Sequence, residues 1–147
     1  MSTFNFKIVT PERVVFDSEA EKATLPTNTG EITILPNHIP LVSQVVAGEM
    51  RITDAEHREH LLAVSGGFVQ VQSLSITILA DTAEMAHELS EERAKEAHER
   101  ARKLLEAKTG LTDRDVASLQ ALIDKELARV KVARKHKDPG IRSGLLK

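Results

Sequence analysis

SITILADTAEMAHELSEERAKEAHERARKLLEAKTG, residues 75–110, contains the change of period that decides the fold. Before Asp81, Ile76 and Ile78 alternate with Ser75 and Thr77, a period of two that predicts a strand. After Ser90 the apolar residues recur as Ala94, Ala97, Ala101, Leu104 and Leu105, the three-and-four spacing of one helical face. Ser90 followed by Glu91 and Glu92 reads as an N-cap with acids in the first turn, where they complement the helix dipole. The spacing predicts a helix from Ser90 to Lys108, closed by Gly110 in the C′ position. Thr112 with Asp115 three residues on resembles a capping box and opens a second helix. Its stripe is Val116, Leu119, Ile123, Leu127 and Val130, and Asp138-Pro139-Gly140 stops it. Two helices joined by a short glycine turn make an antiparallel hairpin. The first helix offers mainly alanine to the second, so the two approach closely but bury little apolar area. At about 25 cal/mol per Å² such a seam holds less firmly than a leucine seam. The hairpin is expected to be the easily opened part of the molecule.

Upstream, residues 4–80 alternate in short runs: FNFKIV, EMRIT, HLLAVS, FVQVQ and LSITILA. Turn signals stand between them at Thr10-Pro11, Asn28-Thr29-Gly30, Ala47-Gly48, Gly66-Gly67 and Gln72-Ser73. Nine or ten short strands with no helix between them predict an antiparallel β-sandwich or barrel. The fold class is therefore α+β, with an N-terminal antiparallel β-sandwich over 1–84 and a C-terminal two-helix hairpin over 85–147. Charge divides in the same way. Residues 1–83 hold 5 Lys/Arg and 10 Asp/Glu, whereas residues 84–147 hold 15 and 12.

Composition narrows the chemistry. The 147 residues carry a net charge of −2 and no cysteine, which excludes a disulfide framework, a thiolate nucleophile and a cysteine-built zinc site. No apolar run approaches the roughly 20 residues that span a bilayer, and the N-terminus has no signal-peptide pattern. These features are read as those of a soluble, intracellular protein. Gly66-Gly67 reads as a hairpin turn between buried strands, because no helix N-terminus follows to make a phosphate cradle. His57 and His60 in TDAEHREH fit no zinc spacing and read as a solvated hairpin tip. His38 lies between Pro36 and Pro40 in GEITILPNHIPLV, residues 30–42. An enzyme pairing His38 with Glu31 or Asp54 is one reading of it, but no base and nucleophile at hydrogen-bonding spacing can be identified, and no metal set. Lys125, Arg129, Lys131, Arg134, Lys135 and Lys137 make the end of the second helix basic. They either face water and complement the dipole or dock on an acidic protein surface. Nucleic acid fits less well, since Trp and Tyr are absent and no stacking platform exists.

TPERVVFDSEAEKATLP (10–26), GEITILPNHIPLV (30–42), GEMRI (48–52), AVSGGFVQV (63–71) and ITILADTAE (76–84), in this order and followed by two helices, resemble the ε subunit of rotary F-type ATP synthase. The resemblance covers essentially the whole chain. It implies a ten-stranded sandwich that joins the γ subunit to the c-ring on the central stalk during proton-driven ATP synthesis. It implies a helical hairpin that can extend into the α/β catalytic head and obstruct ATP hydrolysis, with no catalysis by this chain itself. It further implies a peripheral position on the cytoplasmic (or stromal) side of an energy-transducing membrane, with no direct insertion. Glu31 and His38 become candidates for contact with the rotor, and Arg129, Arg134 and Lys135 for contact with acidic surface on the head. Some relatives bind ATP on the folded hairpin through Ile/Leu-Asp-x-x-Arg-Ala. This sequence has Leu89-Ser90-Glu91-Glu92-Arg93-Ala94, with Glu84 and Arg100 at the family's spacing. Ser90 removes the carboxylate acceptor, and Glu91, Glu92 and Glu96 oppose a triphosphate. ATP is thus expected to be at most a weak regulatory ligand, with no other cofactor. An ATP-sensing module is the alternative function.

Overall fold

A computed structural model describes residues 2–107 and 110–137. Seven strands come first: β1 (Phe4–Val9), β2 (Val14–Thr27), β3 (Gly30–Ile34), β4 (Leu41–Asp54), β5 (Glu59–Gln72), β6 (Ser75–Ala80) and β7 (Ala83–Met85). A 3₁₀ turn, Ala86–Glu88, leads to α1 (Glu91–Ala107) and α2 (Asp113–Lys137). The sheet runs β1-β6-β5-β4-β2-β3, and β1 also pairs with β2, so the strands close on themselves. Every pairing is antiparallel except β1 with β6, which is parallel. The boundary expected between residues 84 and 85 falls inside β7, which pairs with β5 through Ala83, Glu84 and Met85.

The number of strands corrects the sequence reading. Expected turns at Ala47-Gly48 and Gly66-Gly67 lie within continuous 14-residue strands. The chain there bends as a sandwich corner instead of reversing. Val46 pairs with Gly66 and Gly48 with Val64, and the ladder skips the pair between them. Gly66 and Gly67 have φ of 129° and 144°, and a Cβ at Gly67 would collide with the Leu79 carbonyl. Gly67 serves close approach of β6 and Gly66 supplies the positive φ beside it, and neither reverses the chain. Gly48 is likewise covered, with the Pro26 Cγ 3.0 Å from where its Cβ would stand. The turn at Asn28-Thr29 and the β5–β6 hairpin lie where expected.

One core fills the sandwich. Phe4, Phe6, Ile8, Leu25, Ile34, Met50, Ile52, Leu62, Ile76 and Ile78 are all fully buried in it. The Phe4, Phe6 and Phe16 rings meet at centroid separations of 6.0–6.3 Å. The run Leu61-Leu62-Ala63-Val64 is buried on both faces. Leu62 and Val64 point into the sandwich, while Leu61 and Ala63 meet Ala86 and Val132 in a second, smaller cluster. That double burial explains a stretch without alternation.

Both helix starts follow the sequence. Ser90 Oγ accepts the Arg93 N–H at 3.4 Å. Thr112 Oγ1 accepts the Asp115 N–H at 3.2 Å, and the Thr112 N–H donates to Asp115 Oδ2 at 2.9 Å, a reciprocal box. The expected ends at Lys108 and at Asp138-Pro139-Gly140 lie outside the described residues. The second apolar stripe is as expected only in part, with Val130 buried and Leu119 and Ile123 half-buried. Val116 and Leu127 are exposed, as is Leu104 on α1, whereas Glu126, Ala128, Val130, Val132 and Ala133 are buried. The reason is that the C-terminal half of α2 packs against α1 on one side and the sandwich on the other.

Candidate functional site

The residues that sequence reading singled out fall into two surfaces. The first is the seam between α2 and the sandwich. Its apolar floor is Leu61, Ala63, Ala86 and Val132, with Leu89 against them. Three cations expected to meet a partner are paired around it, Arg129 and Lys135 across the seam and Arg134 within the hairpin. Arg129 Nη2 lies 3.0 Å from Glu84 on β7, and its Nη1 lies 3.0 Å from Glu126 on the same helix. Arg134 Nε lies 3.2 Å from Glu91 on α1, which also holds Lys95 at 3.0 Å. Lys135 Nζ lies 2.8 Å from Glu49 on β4. The basic end of α2 is thus neutralised by the chain's own carboxylates while the hairpin is docked. No signal in the sequence reveals these partners, which are 43–86 residues away.

Glu126 is buried, and its carboxylate is held by Arg129. Arg129 Nε is itself buried without a hydrogen bond among the described residues. Hydrogen bonds first from Lys95 and then from Arg134 hold the Glu91 carboxyl below its ordinary value. Burial works to raise Glu88, but its hydrogen bonds from Arg13 and the Met85 N–H outweigh this and lower it. That pair fastens the 3₁₀ turn to the β1–β2 loop at 3.0 Å.

Several of the expected nucleotide residues have other partners. Glu84 is engaged by Arg129, Ser90 caps α1, and Leu89 packs into the seam. Arg93 and Arg100 are exposed on α1.

The second surface includes the loop between β3 and β4. Asn37 takes φ of 64°, and the His38 N–H donates to the Leu35 carbonyl, closing a tight turn between Pro36 and Pro40. His38 Nδ1 donates to the Ile39 carbonyl at 2.7 Å, so the half-buried ring is tied to its own loop. Glu31 bonds Arg51 at 3.2 Å. The hydrogen bonds of His38, Glu31 and Asp54 thus run to other residues, and none joins His38 to an acid. Exposed Val42 on β4 lies diagonally across from Phe68, whose cross-strand partner on β6 is the exposed Leu79, and the three share one outer face. This contiguous apolar patch went unnoticed in the sequence. The alternation VQV, ITI and FVQ gave no indication that the outward residues would be large.

The expected solvated tip at TDAEHREH is built around a buried acid, which corrects that reading. Asp54 accepts the Glu56 and Arg58 N–H groups, the Arg58 Nε–H and the His60 Nε2–H at 2.8–3.0 Å. The His60 hydrogen bond above all holds its carboxyl far below the usual range against the opposing effect of burial, and the two backbone N–H groups add to it. His60 also packs edge-on against Phe16, with centroids 5.3 Å apart. The tip itself, residues 55–58, is exposed as expected, with His57 at φ of 65° and bonded to Glu21.

The family model described as "ATP synthase, Delta/Epsilon chain, beta-sandwich domain" matches residues 3–86. The ATP synthase epsilon chain of Moorella thermoacetica is 41% identical over 134 residues, 90% of this chain and 98% of that one. That of Dichelobacter nodosus is 46% identical over 111 residues, 75% of this chain and 78% of its own length. A chain of the Euglena gracilis mitochondrial ATP synthase, from a cryo-EM structure of OSCP/F1/c-ring, has the same fold with a TM-score of 0.74. It is 18% identical, with 87% of this chain and 79% of that one covered. No described helix is long and apolar enough to cross a membrane.

Proposed function

This chain belongs to the ATP synthase epsilon chain family, and from that premise we propose that it couples the γ subunit to the c-ring on the central stalk. In this reading it performs no catalysis and works as a peripheral subunit on the cytoplasmic (or stromal) side of the membrane during proton-driven ATP synthesis. The sandwich is the docking part. The exposed patch of Val42, Phe68 and Leu79 suits γ, and Glu31 on β3 with His38 in the β3–β4 loop suits the c-ring. The hairpin is the regulatory part, able to leave the sandwich, extend into the α/β head and obstruct ATP hydrolysis.

The observation that carries this reading is the unequal attachment of the two parts. The sandwich has its own large core and a closed sheet, whereas α2 meets it over a floor of one leucine, one valine and two alanines rimmed by ion pairs. Release from the sandwich frees Lys135, and Arg129 on its Glu84 side, for an acidic surface on the head, and parting of the two helices would add Arg134. Removing residues 88–147 from the reconstituted enzyme should raise ATP hydrolysis while coupling persists. Unchanged hydrolysis would refute the inhibitory role. Nucleotide binding to the hairpin is expected to be weak or absent, because Glu84 is engaged with Arg129 and Ser90 lacks a carboxylate. A micromolar Kd for ATP by calorimetry would establish the sensor reading instead.

A further inference from the structure

We propose that Glu31 and the hairpin are linked by an ion-pair relay, Glu31–Arg51–Glu49–Lys135, through which occupation of Glu31 loosens α2. Arg51 Nη2 lies 3.2 Å from Glu31 Oε1, and Arg51 Nε lies 3.5 Å from Glu49 Oε1. Glu49 Oε2 lies 2.8 Å from Lys135 Nζ. The sheet fixes this alignment. Glu49 and Arg51 are two apart on β4 and so share a face, and their β5 partners are Ala63 and Leu61 of the seam floor. Arg51 is paired with Thr24 on β2, which is paired with Thr33 on β3, two residues from Glu31. All four charges therefore lie on one outer surface, running from the edge strand to the helix.

Exposure gives the relay a direction. The Glu31 side chain is 59% exposed and open to a partner, whereas that of Glu49 is 15% exposed beneath α2. One inner carboxylate is claimed by two cations, and Glu31 holds one of them partly away. When a partner's cation takes Glu31, Arg51 is left with Glu49 as its only acid in the relay. A guanidinium fork matches a carboxylate better than an ammonium does, so Arg51 displaces Lys135. The helix then loses Lys135–Glu49, one of its two described ion pairs to the sandwich. By thermodynamic reciprocity, release of α2 gives Glu49 to Arg51 and makes Glu31 more available to a partner.

The inference rests on the reading that Glu31 faces a rotor partner and the hairpin opens, but the full chain alone tests it. The sequence contains no cysteine, so dyes on Val14→Cys of the sandwich and Leu122→Cys of α2 report opening by energy transfer without background labelling. Glu31→Gln should raise the opening constant about two- to threefold, the size of one partly exposed ion pair. Arg51→Ala should lower it by a similar factor, and the double variant should behave as Arg51→Ala alone. Amide exchange along α2 should follow the same order. Equal opening in wild type and Glu31→Gln overturns the relay, as does an effect of Glu31→Gln that persists without Arg51. In the reconstituted enzyme Arg51→Ala should increase hydrolysis by keeping the hairpin docked. If it does not, while the isolated chain obeys the cycle, the regulatory reading fails and the relay stands.

Discussion

The sandwich core and the hairpin seam solve the same problem, burying apolar surface, with different materials. In the sandwich, phenylalanine, isoleucine, leucine and methionine fill a closed sheet. At the seam the floor is small, and charged pairs at 2.8–3.2 Å set the position of the helix around it. Apolar burial is proportional to area and is not weakened by charge screening, whereas partly exposed ion pairs are weak, screened and exchangeable. One construction gives a permanent body and the other a detachable one.

The largest expected effects break the sandwich itself. Leu62→Ala should cost about 2–5 kcal/mol by denaturant unfolding, because the site lies inside a closed core that collapses poorly. Gly67→Ala should cost about 3 kcal/mol or more, since it joins an unfavourable φ of 144° to a collision with β6 backbone. A mild Gly67→Ala would show that the corner can relax and that the sandwich is less rigid than its packing suggests.

At the seam, Arg129→Ala should cost about 2 kcal/mol of docking, because it leaves Glu126 buried without its cation and Glu84 unpaired. Amide exchange should report this in α2 while β5 and β6 stay protected. Val132→Ala should weaken docking by about 1 kcal/mol through its lost methyls, again without exposing the sandwich. If either change unfolds both parts together, the two are one cooperative unit and the comparison fails.

The smallest effect is a pH order. Glu91 lies below its ordinary value in the folded chain, so its contribution is present above the unfolded value, near about 4.3, and is lost as pH falls through the folded one. Asp54 in the sandwich is held much further down, so its contribution persists to more acid conditions. On acidification below about pH 4, amide protection where α1 packs on α2 should therefore fall before tertiary signals of the sandwich do. Simultaneous loss would mean that the ion pairs do not set the opening.

Local chemistry was legible where a residue acts on its own neighbours. Ser90 and the Thr112/Asp115 pair start helices because their side chains reach N–H groups three residues away. The pattern ITILADTAE followed by SEERAKEA reports its change of period for the same reason. The candidate site was only half legible. Its basic residues were visible, but their partners Glu84, Glu91 and Glu49 were not, and the outward apolar patch was missed.

What the sequence by itself determined is the kind of each element and the order of the two parts, since period, caps and charge are properties of short segments. Tertiary structure alone decided the rest. Gly66-Gly67 and Ala47-Gly48 are corners instead of turns because a neighbouring strand, not the local chain, sets the space beside them. Val132 is buried and Val116 exposed because only the far half of α2 reaches the sandwich. Arg129, Arg134 and Lys135 are engaged instead of free because folding brings distant carboxylates within 3.2 Å. Coulomb attraction and close packing act through space, and neither is encoded in the spacing of residues along the chain.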